Sequence, residues 1–295
     1  MEKKEIFSGS GCALITPFSN GEIDYDSLGE LIDRQIEAST DALIIGGTTA
    51  EAAVLSDSER YRLFYYAKER IGNRCKLIFG TGTNDTRKAL LHTKYAERIG
   101  CDGVLIVTPY YNKGTEDGIE KHYLTLAESV DLPIIVYNVP SRTGVNLGFG
   151  ILDRLANHTN IVGIKEASDS VDRLVGLAAF KDRLWLYAGN DSQIFPTLAL
   201  GGKGVISVVA NIMPTAIKSI CHSCTVGRWW EAKDEQIRLL PFIKSLFLET
   251  NPSPLKYAMS RLGLCSEELR LPLSPPRDST KAEIDSALRD LGLTE

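Results

Sequence analysis

The chain has 295 residues, 43% of them hydrophobic and 24% charged, a composition that excludes a disordered or fibrous protein. Its formal net charge of -5 argues against a nucleic-acid-binding protein, because such proteins gather Lys and Arg on one face. The N-terminus lacks the apolar core of a secretory signal, and no later run approaches the roughly 18 apolar residues of a membrane span. We therefore expect a cytoplasmic protein without membrane association.

Short apolar segments alternate with longer amphipathic segments from the N-terminus to about residue 225. This alternation is typical of βαβ units, and eight rounds of it predict an α/β fold that closes as a (β/α)8 TIM barrel. The predicted strands are residues 12–15, 42–45, 76–79, 103–107, 133–137, 161–165, 185–188 and 204–208. The amphipathic segments include residues 26–39, 57–71, 86–99 and 118–130, which have apolar residues at helical spacing.

The last seventy or so residues have a different pattern. Residues 228–248 form one helical pattern, the segment 251–254 with its two prolines interrupts it, and two shorter helices follow. We predict a catalytic barrel over residues 1–225 and a C-terminal helical appendage over residues 226–295, packed on the barrel.

The cysteines and histidines give little sign of a metal or redox site. The six cysteines are scattered among apolar residues, which favours buried, reduced thiols. Cys221 and Cys224 form a CxxC pair, but they fall in a helical pattern without a second pair, so ordinary packing is the favoured interpretation. The four histidines have no metal-ligand spacing, and we expect neither a metal nor a cofactor.

The residues that end the predicted strands are unusually reactive or polar, and this is where a barrel of this type builds its active site. Lys165 ends an apolar strand, where burial would favour its neutral, nucleophilic amine. The alternative is a structural lysine paired with Glu166. Tyr137 ends the neighbouring strand and could move protons, although a core tyrosine would fit the same pattern.

Two further groups could bind carboxylates. Thr48 and Thr49, after two glycines, offer hydroxyl and backbone N–H groups, although the motif is weak by itself. Arg142 lies in a turn between Pro140 and Gly144, and its planar guanidinium suits a second carboxylate. A solvated loop arginine is the alternative.

Four motifs in this order resemble the pyruvate-dependent class I aldolase family and, within it, the dihydrodipicolinate synthases. The motifs are residues 47–51, 108–112, 137–144 and 163–167, and the likeness extends over nearly the whole chain, including 204–208, 251–256 and 269–273. The family usually has glycine where this chain has Ala50. If that position needed a positive φ, the methyl group would cost about 1 kcal/mol or more.

The resemblance implies specific roles for seven residues. Lys165 would form a Schiff base with pyruvate, Tyr137 would donate and accept protons, and Thr48 and Tyr111 would complete a hydroxyl relay. The implied substrate-binding residues are Thr49 for pyruvate, Arg142 for the second substrate, and Ile206. In the family, the residue matching Tyr111 is supplied across a tight dimer interface, and two dimers usually form a homotetramer.

The resemblance also implies the reaction, a condensation of pyruvate with L-aspartate 4-semialdehyde in diaminopimelate and lysine biosynthesis. The alternatives are a sibling aldolase, such as N-acetylneuraminate lyase or a 2-keto-3-deoxy sugar acid aldolase, and a non-catalytic barrel that serves in binding or regulation. A further expectation concerns feedback. Lysine-inhibited relatives usually have a glutamate at the position of Lys88 and histidines at those of Asp57 and Arg60, so we expect free lysine to inhibit weakly or not at all.

Overall fold

A computed structural model describes residues 3, 5–180 and 183–295 of the chain. Its strands are β1 (Gly9–Ala13), β2 (Phe18–Ser19), β3 (Glu22–Ile23), β4 (Ala42–Ile45), β5 (Lys76–Gly80), β6 (Gly103–Val107), β7 (Ile134–Asn138), β8 (Ile161–Glu166), β9 (Trp185–Ala188) and β10 (Gly204–Ser207). Its α-helices are α1 (Tyr25–Glu37), α2 (Asp57–Ile71), α3 (Thr86–Ile99), α4 (Glu116–Ala127), α5 (Pro140–Thr143), α6 (Phe149–Leu155), α7 (Val171–Ala178), α8 (Ile194–Ala199), α9 (Pro214–Thr225), α10 (Trp229–Ser245), α11 (Ser253–Arg261) and α12 (Asp278–Asp290).

Eight of these strands form a closed barrel in which β1 lies between β10 and β4. All pairs in the barrel are parallel, and helices cross between consecutive strands. The predicted (β/α)8 TIM barrel is confirmed. β2 and β3 form a separate antiparallel pair after the first barrel strand.

The strands divide their apolar side chains between two cores, because successive residues of a strand point to opposite faces. On β4, Ala42 and Ile44 belong to the cluster inside the barrel, while Leu43 and Ile45 belong to the larger cluster between barrel and helices. Burial on both faces explains why the barrel strands read as continuous apolar runs.

The first strand begins three residues earlier than predicted, at Gly9 instead of Cys12. Leu14 and Ile15 are buried beyond its end and prolong the apolar pattern. A glycine is needed within the strand because a Cβ at Gly11 would lie 2.9 Å from the carbonyl oxygen of Val205 on β10. The close approach of β1 to β10 therefore requires a glycine here, and the strand preferences of the residues do not predict where β1 begins.

The C-terminal segment contains three helices, α10, α11 and α12. The helix α10 contacts α9 and α12, and α11 contacts α12. The boundary at residue 225 remains a prediction. Cys221 and Cys224 lie on α9 and are buried in the larger core. No helix in the described part of the chain is both long and apolar enough to cross a membrane.

Candidate active site

Lys165 and Tyr137 face each other at the carboxyl ends of two neighbouring strands. They are register partners in the β7–β8 pair, and the Lys165 Nζ lies 4.4 Å from the centroid of the Tyr137 ring. Both side chains are buried. The structure brings these two candidate residues together.

Burial changes the acidity of both groups. It lowers the pKa of Lys165 to about 8, against a smaller opposing effect of the Asp191 carboxylate. It also raises the pKa of Tyr137, while a hydrogen bond with the Thr48 side chain and the charge of Arg142 act in the opposite direction. Near neutral pH, Lys165 therefore has a larger neutral fraction than an ordinary lysine, and the phenol keeps its proton.

Lys165 does not pair with Glu166, the alternative that the sequence left open. The Glu166 carboxylate points to the other face of β8, where it accepts hydrogen bonds from Arg173 Nε at 2.8 Å and from Asn138 Nδ2 at 2.9 and 3.0 Å. It is fully buried and satisfied there. Lys165 thus remains available for chemistry at the barrel mouth.

The loop after β4 carries Thr48 and Thr49. Thr49 is buried, and its hydroxyl oxygen accepts a hydrogen bond from Asn251 Nδ2 at 3.0 Å. The residues of this loop with positive φ are Gly46, at 72°, and Glu51, at 53°, and Ala50 is not among the described residues with positive φ. The methyl group of Ala50 is therefore accommodated without the strain considered above.

Arg142 lies in the one-turn helix α5, which begins at Pro140 and is capped at its C-terminal end by Gly144 with φ 66°. This is the predicted turn. Its guanidinium donates to the main-chain oxygen of Asn251 at 2.7 Å. Arg142 is thereby anchored at one nitrogen, and its other donors remain for a ligand.

A cavity of about 330 Å³ lies at the carboxyl ends of the strands. Thr48, Tyr137 and Arg142 line it together with Tyr110 and Asn251. Thr49 and Lys165 do not line the cavity themselves, but each contacts a residue that does. The volume suits a small substrate.

Two further predicted site residues do not line the cavity. Ile206 is fully buried on β10 and belongs to the cluster inside the barrel, together with Tyr137. Tyr111 is 88% exposed and is not among the residues that line the cavity, although the adjacent Tyr110 is. The isolated chain therefore does not bring Tyr111 to the other candidate residues.

Comparison with known proteins identifies the family. Residues 6–291 match the model of the "Dihydrodipicolinate synthetase family". The chain belongs to this family. It is 43% identical over 290 residues to the 4-hydroxy-tetrahydrodipicolinate synthase of Clostridium novyi, covering 98% of each chain. It is 44% identical over 293 residues to the enzyme of that name from Thermotoga neapolitana, covering 98% of this chain and 100% of the relative.

Solved structures of the dihydrodipicolinate synthases have the same fold. The enzyme from Thermotoga maritima has a TM-score of 0.95 and 40% identity, with coverage of 98% of this chain and 100% of that one. The chloride-inhibited, pyruvate-bound enzyme from Acinetobacter baumannii has a TM-score of 0.95 and 38% identity at the same coverage. These findings confirm the family predicted from the four motifs. They support the predicted enzyme activity and give no support to the sibling aldolases.

The sequence did not assign a role to two residues that the structure places here. Asn251 stands in a segment interpreted as a helix break and as part of the family likeness, without a role in the site. Asp191 lies three residues after the end of β9, and its buried carboxylate accepts from the Ser207 hydroxyl and from Val208 N at 2.9 Å. Asp191 follows a predicted strand, and this position is the one feature of the sequence that could have indicated a role in the site.

Proposed function

We propose that this member of the dihydrodipicolinate synthetase family condenses pyruvate with L-aspartate 4-semialdehyde to give 4-hydroxy-tetrahydrodipicolinate, with Lys165 as the Schiff-base lysine. The observation that carries the proposal is the placement of a buried amine of lowered pKa 4.4 Å from the Tyr137 ring, beside the cavity. A neutral amine is the nucleophile that an imine requires.

The Lys165 amine attacks C2 of pyruvate, and the resulting carbinolamine loses its oxygen as water. This step needs a proton donor at the oxygen and an acceptor at the nitrogen, and the Tyr137 phenol, which lines the cavity together with Thr48, would serve as both in turn. Loss of a methyl proton from the imine gives an enamine. The enamine carbon bonds to the aldehyde carbon of the second substrate, whose oxygen takes up a proton.

Release follows from the amino group of the second substrate. That amine attacks the imine carbon and displaces Lys165, so that the product closes as a ring and the free enzyme amine is restored. No oxidant or reductant is needed, because the condensation involves no net oxidation or reduction of the substrates.

The two carboxylates are assigned to different residues. Thr49 is proposed to bind the pyruvate carboxylate with its hydroxyl and main-chain N–H, and Ile206 to contact the same substrate from the barrel interior. Arg142 lines the cavity and would bind the carboxylate of the semialdehyde through the donors that Asn251 leaves free.

Tyr111 requires a second copy of the chain in this scheme. Its side chain is exposed in the isolated chain, as expected for a residue that is lent to a partner's site. We propose a dimer in which Tyr111 completes the relay of Tyr137 and Thr48 in the other subunit, and a homotetramer of two such dimers. Cross-complementation tests this: mixed dimers of Tyr111→Phe and Lys165→Ala chains should regain activity that neither variant has alone.

Borohydride trapping tests the proposed chemistry. Incubation with pyruvate and borohydride should add the mass of a reduced pyruvyl group to the peptide that contains Lys165, and the Lys165→Ala chain should remain unlabelled. Label on another lysine would overturn the assignment. A coupled assay with L-aspartate 4-semialdehyde, N-acetylneuraminate and keto-deoxy sugar acids in parallel then tests the second substrate; turnover of a sugar acid alone would overturn the proposed reaction.

A further inference from the structure

Asn251, which joins α10 to α11, connects the two residues assigned to the substrate carboxylates. Its Nδ2 donates to the Thr49 hydroxyl oxygen at 3.0 Å, and its main-chain oxygen accepts from the Arg142 guanidinium at 2.7 Å. The asparagine is buried and lines the cavity. The C-terminal appendage thus enters the site through this residue.

The direction of the first hydrogen bond matters for Thr49. A hydroxyl has one proton and two lone pairs, so a hydroxyl that accepts from an amide keeps its proton for another acceptor. An amide carbonyl in the same place would take that proton. The observed contact therefore leaves the Thr49 proton for a carboxylate ligand.

The other end of the Asn251 amide is not satisfied. Its Oδ1 is buried and has no hydrogen-bond partner within the described structure. A buried carbonyl oxygen without a partner is costly, so stability does not explain an asparagine at this position. Buried polar atoms without a hydrogen-bond partner are expected mainly where function requires them, and Asn251 lies beside the candidate active site.

We infer that Asn251 is a positioning residue for pyruvate, one whose side chain directs the Thr49 hydroxyl proton to the substrate carboxylate. The inference rests on the proposed function. It predicts that replacing the Asn251 side chain affects the reaction with pyruvate and not the reaction with the semialdehyde, because only the contact with Thr49 uses the side chain. The contact with Arg142 uses the main-chain oxygen and survives replacement of the side chain.

The test is a double-mutant cycle of Asn251→Ala and Thr49→Val, with kcat/KM measured separately for each substrate. The covalent intermediate separates the two half-reactions, so each value reports one substrate. We expect Asn251→Ala to lower kcat/KM for pyruvate about 5- to 10-fold, the value of one neutral hydrogen bond, and to change that for the semialdehyde less than about twofold. In the Thr49→Val background, Asn251→Ala should have no further effect on pyruvate.

Ser253→Ala provides the matched control. Ser253 lies in the same segment and is buried, but its hydroxyl donates to Ser274 O at 2.6 Å, away from Thr49. This variant should leave both kcat/KM values unchanged, and thermal unfolding will show whether each variant is folded. The inference is wrong if Asn251→Ala lowers kcat/KM equally for both substrates. It is also wrong if Asn251→Ala lowers kcat/KM for pyruvate equally with and without the Thr49 hydroxyl. An inactive wild-type chain would instead overturn the proposed function.

Discussion

Glu51 and Lys256 form an ion pair, 2.5 Å from Oε1 to Nζ, in which neither side chain is exposed to solvent. Glu51 ends the loop that carries Thr48 and Thr49, and Lys256 lies on α11. The second carboxylate oxygen accepts from the main-chain N–H of Arg270 at 3.1 Å. The appendage therefore fixes the loop through a charge pair shielded from water.

Lys256→Met should destabilise the chain by about 3–5 kcal/mol, because it leaves the Glu51 carboxylate buried without its cation. Glu51→Gln combined with Lys256→Met removes both charges and should restore most of the lost stability. Urea unfolding at neutral pH measures both differences. A single variant as stable as the parent chain would show that the ion pair does not stabilise the fold.

Tyr137→Phe should lower kcat by about 10²- to 10⁴-fold, the usual effect of removing a group that donates and accepts protons. The ring that packs against Lys165 is retained, so the fold should not change. Steady-state rates at saturating substrates provide the measurement, with circular dichroism as the control for folding. A loss of less than about threefold would assign the proton transfer to another group.

Arg142→Ala should weaken binding of the semialdehyde and leave imine formation with pyruvate intact. The guanidinium lines the cavity, while Lys165 and Thr49 remain in place for pyruvate. We expect a raised KM for the semialdehyde and an unchanged extent of borohydride trapping with pyruvate. If trapping is abolished while semialdehyde affinity is retained, the two carboxylates are assigned to the wrong residues.

The rate of imine formation should depend on pH through Lys165. Burial lowers its pKa from 10.5 to about 8, and only the neutral amine attacks the carbonyl. The rate of trapping should therefore rise as pH increases towards about 8 and level off above it. An ordinary lysine would show a rate that still increases tenfold per pH unit between 8 and 10, and that profile would contradict the lowered pKa.

The barrel could be predicted from the sequence because each strand is an apolar run buried on both faces and followed by polar residues. β4, β6 and β9 were predicted at their observed bounds for this reason. The start of β1 was missed, since Gly11 is required by the nearness of β10 and Gly9 by its positive φ of 107° beside the Asp41 side chain, and glycine has no strand preference of its own.

The site was only partly predictable for a related reason. Lys165 and Tyr137 end strands adjacent in the sequence, so their meeting follows from the barrel. The contact between Asn251 and Thr49 joins residues separated by 202 positions, and no periodicity in the sequence reports it. The exposure of Tyr111 likewise depends on the surface of the folded chain and not on any local pattern.

The surroundings of Lys88 bear on the expected response to free lysine. The Lys88 Nζ lies 3.2 Å from the Asp57 carboxylate, which also contacts the His92 ring at 3.1 Å. The buried Arg60 guanidinium donates to two main-chain oxygens, those of Gly80 and Ala52. Arg60 and Tyr110 both line the cavity, so this region is continuous with the candidate active site.

Free lysine should inhibit this enzyme weakly or not at all. The resemblance implies that an effector pocket would use the segments from Ala52 to Arg60 and from Asn84 to Lys88, and that a glutamate stands at the position of Lys88 in lysine-inhibited relatives. A cation there repels the effector's ammonium group instead of attracting it, and the Asp57 carboxylate is already paired with that cation.

The test is to titrate lysine into the millimolar range at fixed pyruvate and semialdehyde and to measure the reaction rate. The Lys88→Glu variant is expected to become more sensitive to lysine. Clear inhibition of the parent chain below about 1 mM, an affinity of about 4 kcal/mol, would show that Lys88 turns away and leaves the pocket functional.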